Sequence, residues 1–557
     1  MRVAEMTGGV RLVSVGAMSL LVASAAAQAV PAAVKTAEQS IDAERIRAHV
    51  RFLADDLLEG RGPGLRGAEI AAKYMATQFA LDGLKPGGDN RTYLQQVKFV
   101  GMKVAPGKAS YALEPKGKAA IPLTYGEDYT VSDQALGAVA EFDAPIVFVG
   151  YGVKAPEFGW DDYAGVDVKG KVVLCIVGDP PSEDPKFFGG KALTYYGRWT
   201  YKFEEAARQG AVGALIIHRT DLASYGWDVV KNSNTSEKTY LAEDKNPKLE
   251  AASWVQLEVA KRLFAAVGKD VTAEMEAAGK KGFKAEVLPV TLKAHVESVV
   301  RPFESANVVG ILPGADGGTR QALMYTAHYD HLGFVPGMKG DNVYNGAADN
   351  GTGCGLLLEE ARAWAEMGVR PPHDVIFAAV TAEEQGLLGS EYLGQHPPMP
   401  SRAISLDLNY DMILPVGVPE EINVNGAQRT SIYPTVEATA KEFGLKIVPD
   451  ARPEAGSYYR SDHFSLSRVG IPAFSIDTGT KYERHDNAWG VAQEKDYNEN
   501  RYHNFSDNYT PEMDFAGNAK LARFGMDLGW KVLAAKGAVE WLPGDEFAAA
   551  RKASEAK

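Results

Sequence analysis

The chain reads as an α/β protein whose mostly parallel sheet is flanked by helices, with a β-rich segment inserted into it. Three observations lead there. Its 557 residues are too many for one compact core. From Ala306 onward, apolar runs of strand length alternate with helical stretches. Between about Met102 and residue 298 the texture changes to short β-rich runs broken by glycine and proline.

Ile41 to Leu58 and Ala68 to Leu84 have the apolar spacing of amphipathic helices, joined by the glycine-rich turn Leu58-Glu59-Gly60-Arg61-Gly62-Pro63-Gly64. Tyr93 to Val100 reads as a strand. In the middle segment, Ala144 to Val149 and Val172 to Val177 are strands, and the helix Tyr201 to Gln209 leads through Gly210 into the apolar run Ala214 to Ile217. The α/β part supplies strands at Asn307 to Ile311, Ala322 to Thr326, Val375 to Val380, Ala403 to Leu408 and Pro472 to Ile476. Helices such as Gly355 to Met367 and Ile432 to Phe443 lie between them. The tail after Pro543 is small and charged and is expected to fray. The division predicted is 28–101 and 299–557 for the α/β domain and 102–298 for the insert.

Arg2 and Arg11 precede the apolar run Leu12 to Val22, and small residues including Ala25-Ala26-Ala27 follow. That is the order of a cleaved secretory leader over 1–27. The run is shorter than the roughly 18 to 20 residues that span a bilayer. An exported protein, periplasmic or secreted and without stable membrane insertion, is expected. The net charge of −13 gives no electrostatic help toward a polyanion, so nucleic acid is not an expected partner. The two cysteines, Cys175 and Cys354, are too few for a thiolate metal site. Lying in different segments, they are expected as free buried thiols.

The polar residues of the α/β part fall at strand ends. Ala322 to Ala327 runs into His328-Tyr329-Asp330-His331, Val375 to Val380 into Thr381-Ala382-Glu383-Glu384, and Ala403 to Leu408 into Asn409-Tyr410-Asp411. In open α/β sheets, sites are built at that edge. The loop Gly346-Ala347-Ala348-Asp349-Asn350-Gly351-Thr352-Gly353 opens a helix and brings Asp349 to its N-terminus. Each of these residues alone has an ordinary structural explanation: a buried histidine, a helix cap, a solvated pair, a turn. Their common placement calls for one cause. Crowded carboxylates repel and take up protons unless a cation relieves them. Imidazole and carboxylate donors suit zinc, with manganese or cobalt as substitutes. His503, His485 and His463 all lie in polar loops, and the residues alone do not choose among them.

His328-Tyr329-Asp330, the Gly346 to Gly353 loop, Glu383-Glu384-Gln385-Gly386-Leu387-Leu388-Gly389-Ser390, Asn409-Tyr410-Asp411-Met412 and Tyr502-His503 together resemble the ordered motifs of metallopeptidase family 28, whose fold is zinc exopeptidase-like. Phe148 to Gly152, Gly170 to Val173 and Lys202 to Ile217 resemble, more loosely, the protease-associated (PA) domain that some members carry as an insert. The resemblance implies two zinc ions. His328 and Asp411 would hold one, Glu384 and His503 the other, and Asp349 would bridge them. Asp330 would orient His328 through its ring N–H. Glu383 would be the general base, passing a proton from water to the leaving amine, and Tyr502 would donate to the oxyanion. The resemblance also sets Ser461-Asp462-His463-Phe464 along the pocket and marks Arg460, Asp462 and His463 for substrate contact. Cys354 departs from the pattern, which expects a small residue there. No expected ligand is missing, which disfavours a non-catalytic binding protein. The implied activity is exopeptidase action on a peptide or small amide, with aminopeptidase as the leading reading. Carboxypeptidase, dipeptidase or glutaminyl cyclase chemistry on the same fold stays open.

Overall fold

The computed structural model describes residues 30–223, 225–316 and 321–555. The leader read at 1–27 lies outside the described residues.

The α/β part is built on three strands buried along their whole length, Ala322–His328, Val375–Val380 and Ile404–Tyr410. Such continuously apolar strands are what a sheet covered on both faces requires. Ala322–His328 lies in the middle, parallel to both neighbours, and Ala473–Thr478 continues the sheet in parallel beyond Ile404–Tyr410. On the other side Glu286–Leu312 pairs antiparallel with Val375–Val380. One face is covered by the helices Gly353–Glu366 and Ala516–Ala534 together with Ala43–Leu53 and Arg66–Leu81 from the N-terminal segment. The opposite face receives Leu393, Leu466 and Ile471.

The helix expected over 41–58 is shorter in the structure, Ala43–Leu53. A tight 3-10 turn, Asp56–Arg61, follows it, with Glu59 and Gly60 at positive φ. The tail is a second correction. Far from fraying, it packs Phe547 into a cluster with Tyr458, Tyr459, Phe464 and Trp541 and forms a helix, Ala548–Glu555. The buried Arg551 donates to the carbonyls of Ser401 and Ile404 at 3.1 and 3.0 Å. Its charged composition hid one apolar face and one long side chain able to satisfy strand-end carbonyls.

The middle segment has two apolar clusters of its own. Its parallel strands Val139–Phe148, Val172–Ile176, Gly213–His218 and Ala251–Gln256 carry the helices Trp199–Arg208 and Leu257–Ala266. Two long antiparallel strands, Leu94–Pro115 and Glu286–Leu312, run from this segment into the α/β part. The boundaries read at 101/102 and 298/299 therefore fall inside one ladder, where Gly101 pairs with Arg301 and Lys103 with Val299. Cys175 and Cys354 are both buried and free. Among the described residues no helix is long and apolar enough to cross a membrane.

Candidate metal centre

The strand Ala322–His328 delivers His328, 1% exposed, to the C-terminal edge of the sheet. Its Nε2 lies 3.1 Å from Asp411 Oδ1 and 3.3 Å from Asp349 Oδ1. The other oxygen of Asp349 lies 3.4 Å from Nε2 of His503, and that nitrogen is 2.9 Å from Glu384 Oε2. Asp349 thus faces a different imidazole with each oxygen, as a bridging carboxylate must. All five residues predicted as ligands meet here. His328, Asp349 and Asp411 form one compact donor group. Among the described residues the second compact group is His331, Asp349 and Glu384, beside His503.

Neighbouring backbone fixes these side chains. Asp507 accepts from the amides of Ala348 and Asp349 at 3.1 Å. Asn350 donates to Tyr410 O at 2.8 Å and accepts from the amides of Met412 and Gly353 at 3.1 and 2.9 Å, tying the Asp349 loop to the strand that bears Asp411. A Cβ on Gly353 would come within 2.5 Å of Tyr410 O, so that approach needs glycine. Ser461 donates to Asp411 Oδ2 at 2.6 Å.

Arg61 is 1% exposed and donates to four carbonyls: Tyr329 at 2.7 Å, Leu53 and Asn345 at 2.5 Å and Gly346 at 2.8 Å. It fastens the strand end after His328 to the loop before Asp349. Burial lowers its pKa, and the charges of Asp507, Asp330 and Asp349 work the other way.

Two groups of Asp330 face the His328 ring. His328 Nδ1 meets the backbone carbonyl of Asp330 at 3.2 Å, while the carboxylate stands 3.8 Å away. That carboxylate accepts from the Glu383 amide at 3.2 Å. Either partner on Nδ1 leaves Nε2 as the ligating nitrogen.

Glu383 belongs to neither donor group but lies within reach of their charges. Burial pushes its carboxyl well up; His328 opposes, and Asp411, Glu384 and Asp462 add to the rise. Tyr502, 44% exposed, stacks on His503 with ring centres 3.9 Å apart. Asp462 is fully buried and raised to about 7 by burial, with the charge of His328 acting against the rise and those of Asp411 and Asp330 adding to it. Arg460 and His463 are not brought into the group. Arg460 is exposed and donates to Ala455 O at 3.1 Å. His463 is buried edge-on to Tyr458, and burial pushes it down to about 3.

Three residues escaped the sequence reading. Arg61 was visible only as part of a glycine-rich turn, and Asp507 carries no signal of its own. His331 stood in the run already singled out.

Residues 307–522 match the model of peptidase family M28. They form an M28 domain. The chain is 31% identical to leupeptin-inactivating enzyme 1 of Streptomyces exfoliatus over 215 residues, 37% of this chain and 45% of that one. It is 29% identical to leucine aminopeptidase 1 of Phaeosphaeria nodorum over 209 residues, 34% and 50% of the two chains. The chain spans about half the length of these curated relatives. A solved aminopeptidase from Aneurinibacillus sp. strain AM-1 aligns with 90% of this chain and 95% of its own at 18% identity, with a TM-score of 0.47.

The donor set of the M28 domain fits divalent cations. It offers only nitrogen and carboxylate oxygen, it divides into two groups, and Asp349 is shared. Among these carboxylates the imidazoles gain protons readily. Burial draws His503 down, but hydrogen bonds to Asp349 and Glu384 and their charges raise it to about 10. His328 is raised well above its usual value: burial opposes, while Asp411 and Glu383 and hydrogen bonds to Asp349 and Asp411 prevail. In return these histidines hold Asp349 far below the usual carboxylate range against the effect of burial.

Two predictions follow from this geometry. At pH 8, His503 carries a proton that must leave before its nitrogen can bind a cation. Zinc uptake by the metal-free chain should release protons, and affinity should rise with pH until about 10. Calorimetry in buffers of different ionisation enthalpy measures the release; uptake independent of pH between 7 and 9 would contradict it. Arg61→Met should lower unfolding stability by at least about 3 kcal/mol, since it strands buried carbonyls that accept from a charged donor. A denaturant midpoint close to that of the unaltered chain would show that Arg61 does not hold the two loops.

Proposed function

We propose that the protein is an exported metallo-exopeptidase with two zinc ions, acting as an aminopeptidase that releases N-terminal residues. One observation carries the reading: Asp349 turns its two oxygens to two separate donor groups, with Glu383 beside both. Its relative leucine aminopeptidase 1 supports the choice of an aminopeptidase. The charged, apolar and small-residue order of residues 1–27 supports export.

Divalent cations held by His328 and Asp411, by Glu384 and His503, and by Asp349 between them would supply Lewis acidity to the scissile carbonyl and to water. The chain's own residues do the rest. Glu383, raised by burial, takes a proton from the attacking water and returns it to the leaving amine. Tyr502, stacked on His503, donates its hydroxyl to the developing oxyanion. Asp330 fixes the Glu383 amide, and Ser461 fixes Asp411. The segment 102–298 serves as a protease-associated domain that shapes the entrance. Its Leu193 amide bonds to Pro453 O at 3.1 Å, Tyr195 meets Phe464 with ring centres 5.3 Å apart, and Glu204 pairs with Arg468 at 3.1 Å. These contacts reach the same stretch of chain that leads to Ser461.

The test is hydrolysis of aminoacyl-arylamides, N-blocked peptides and peptides with free C-termini by the purified mature chain, with and without chelator. Cleavage of free-amine substrates, stopped by chelator and restored by zinc, is the expected result. Cleavage of blocked peptides alone would move the reading to a carboxypeptidase, and cyclisation of N-terminal glutamine to a cyclase. Glu383→Gln should lower kcat by about 10²- to 10⁴-fold while zinc content stays unchanged. Full activity in that variant would remove Glu383 as the base.

A further inference from the structure

One imidazole at the sheet edge has no part in the mechanism above. His331 is fully buried. Its Nδ1 lies 2.6 Å from Glu384 Oε1, and its Nε2, on the far side of the ring, is buried without a partner in the protein. The other oxygen of Glu384 is the one 2.9 Å from His503. One carboxylate therefore meets two histidines, one at each oxygen.

The ring of His331 is held from several sides. Its amide donates to Arg61 O at 3.3 Å. Gly346 passes so close that a Cβ there would lie 2.7 Å from the ring. Tyr344 and His503 stand edge-on, with ring centres 6.5 and 5.8 Å away.

We propose that His331 is a positioning residue for the second cation centre: its Nδ1–H holds Glu384 Oε1, so that Oε2 alone is presented beside His503 Nε2 and Asp349 Oδ2. The inference rests on the two-centre reading given under Proposed function. A carboxylate with both oxygens free pivots between one-oxygen and two-oxygen binding. A fixed donor on one oxygen removes that freedom, and partners of this kind are worth about 10- to 100-fold in metal affinity. A competing role exists, because His331, Asp349 and Glu384 are themselves close enough to share an ion. The geometry favours positioning, since His503 Nε2 already faces both Asp349 Oδ2 and Glu384 Oε2, while His331 meets only the other oxygen of Glu384.

His331→Asn and His331→Leu separate the two roles on the full chain. Asparagine keeps an N–H near the place of Nδ1 but offers no imidazole; leucine fills the space without a donor. Zinc bound at equilibrium is counted across a series of buffered free-zinc concentrations, and the absorption of cobalt-loaded protein reports each centre's geometry. The unaltered chain should take up two equivalents. His331→Leu should weaken one of them about 10- to 100-fold and leave the other unchanged. His331→Asn should bind both within about threefold of the unaltered chain, with an unchanged cobalt spectrum. Loss of one equivalent in His331→Asn would overturn the proposal in favour of direct ligation. Full affinity in His331→Leu would overturn it outright. If the leucine variant does not fold, the asparagine variant decides alone. An unaltered chain that takes up fewer than two equivalents would overturn the two-centre reading itself, and this inference with it.

Discussion

Negative charge gathered in a dry place is the constraint around which the rest of this chain is arranged. Asp330, Asp349, Glu383, Glu384, Asp411 and Asp462 crowd one sheet edge, and Asp507 stands directly behind them. Two unit charges 4 Å apart repel by about 4 kcal/mol at the effective dielectric of a protein site. No apolar packing nearby offsets several such pairs. The fold answers with imidazoles between the carboxylates, backbone amides on Asp330 and Asp507, and the Ser461 hydroxyl on Asp411. The same arrangement that relieves repulsion leaves converging lone pairs, which is the condition for binding a cation.

The remaining support comes from the opposite side of the chain. Arg61 belongs to the N-terminal segment, yet it bonds the backbone near both ends of the stretch from His328 to Asp349. Residues 307–522 carry the family match, but the geometry of their edge is completed from before the middle segment. A buried guanidinium whose hydrogen-bond partners are all carbonyls is costly to place, because nothing cancels its charge at contact distance. Here the surrounding carboxylates supply that balance from further off.

What the sequence disclosed follows from periodicity and chemistry. The strands Ala322–His328, Val375–Val380 and Ile404–Tyr410 are apolar throughout and end in His, Glu and Asp, so both the sheet and its working edge were legible. Asp349 was legible because glycines surround it. His503 was not, since its loop looks like others, and only the resemblance singled it out. The omissions share one cause. Arg61 and Asp507 act through backbone groups of residues far off in sequence, and no local pattern records such a partner. The tail misled for a related reason: Arg551 is charged, but its stem and its hydrogen bonds lie inside.

The long ribbon formed by Leu94–Pro115 and Glu286–Leu312 has a consequence for how such a chain could be assembled. Gly101 and Arg301 are direct neighbours across the ladder, so the backbone leaves the α/β part and returns to it at adjacent positions. Strand neighbours lie only about 5 Å apart, a gap that a two-residue hairpin turn closes. Everything from residue 102 to 300 therefore occupies the place of a hairpin tip. What lies beyond that pair can differ in length without moving the strands that carry the ligand edge. The ribbon is a port: what hangs from it can vary while the ligand edge stays where it is.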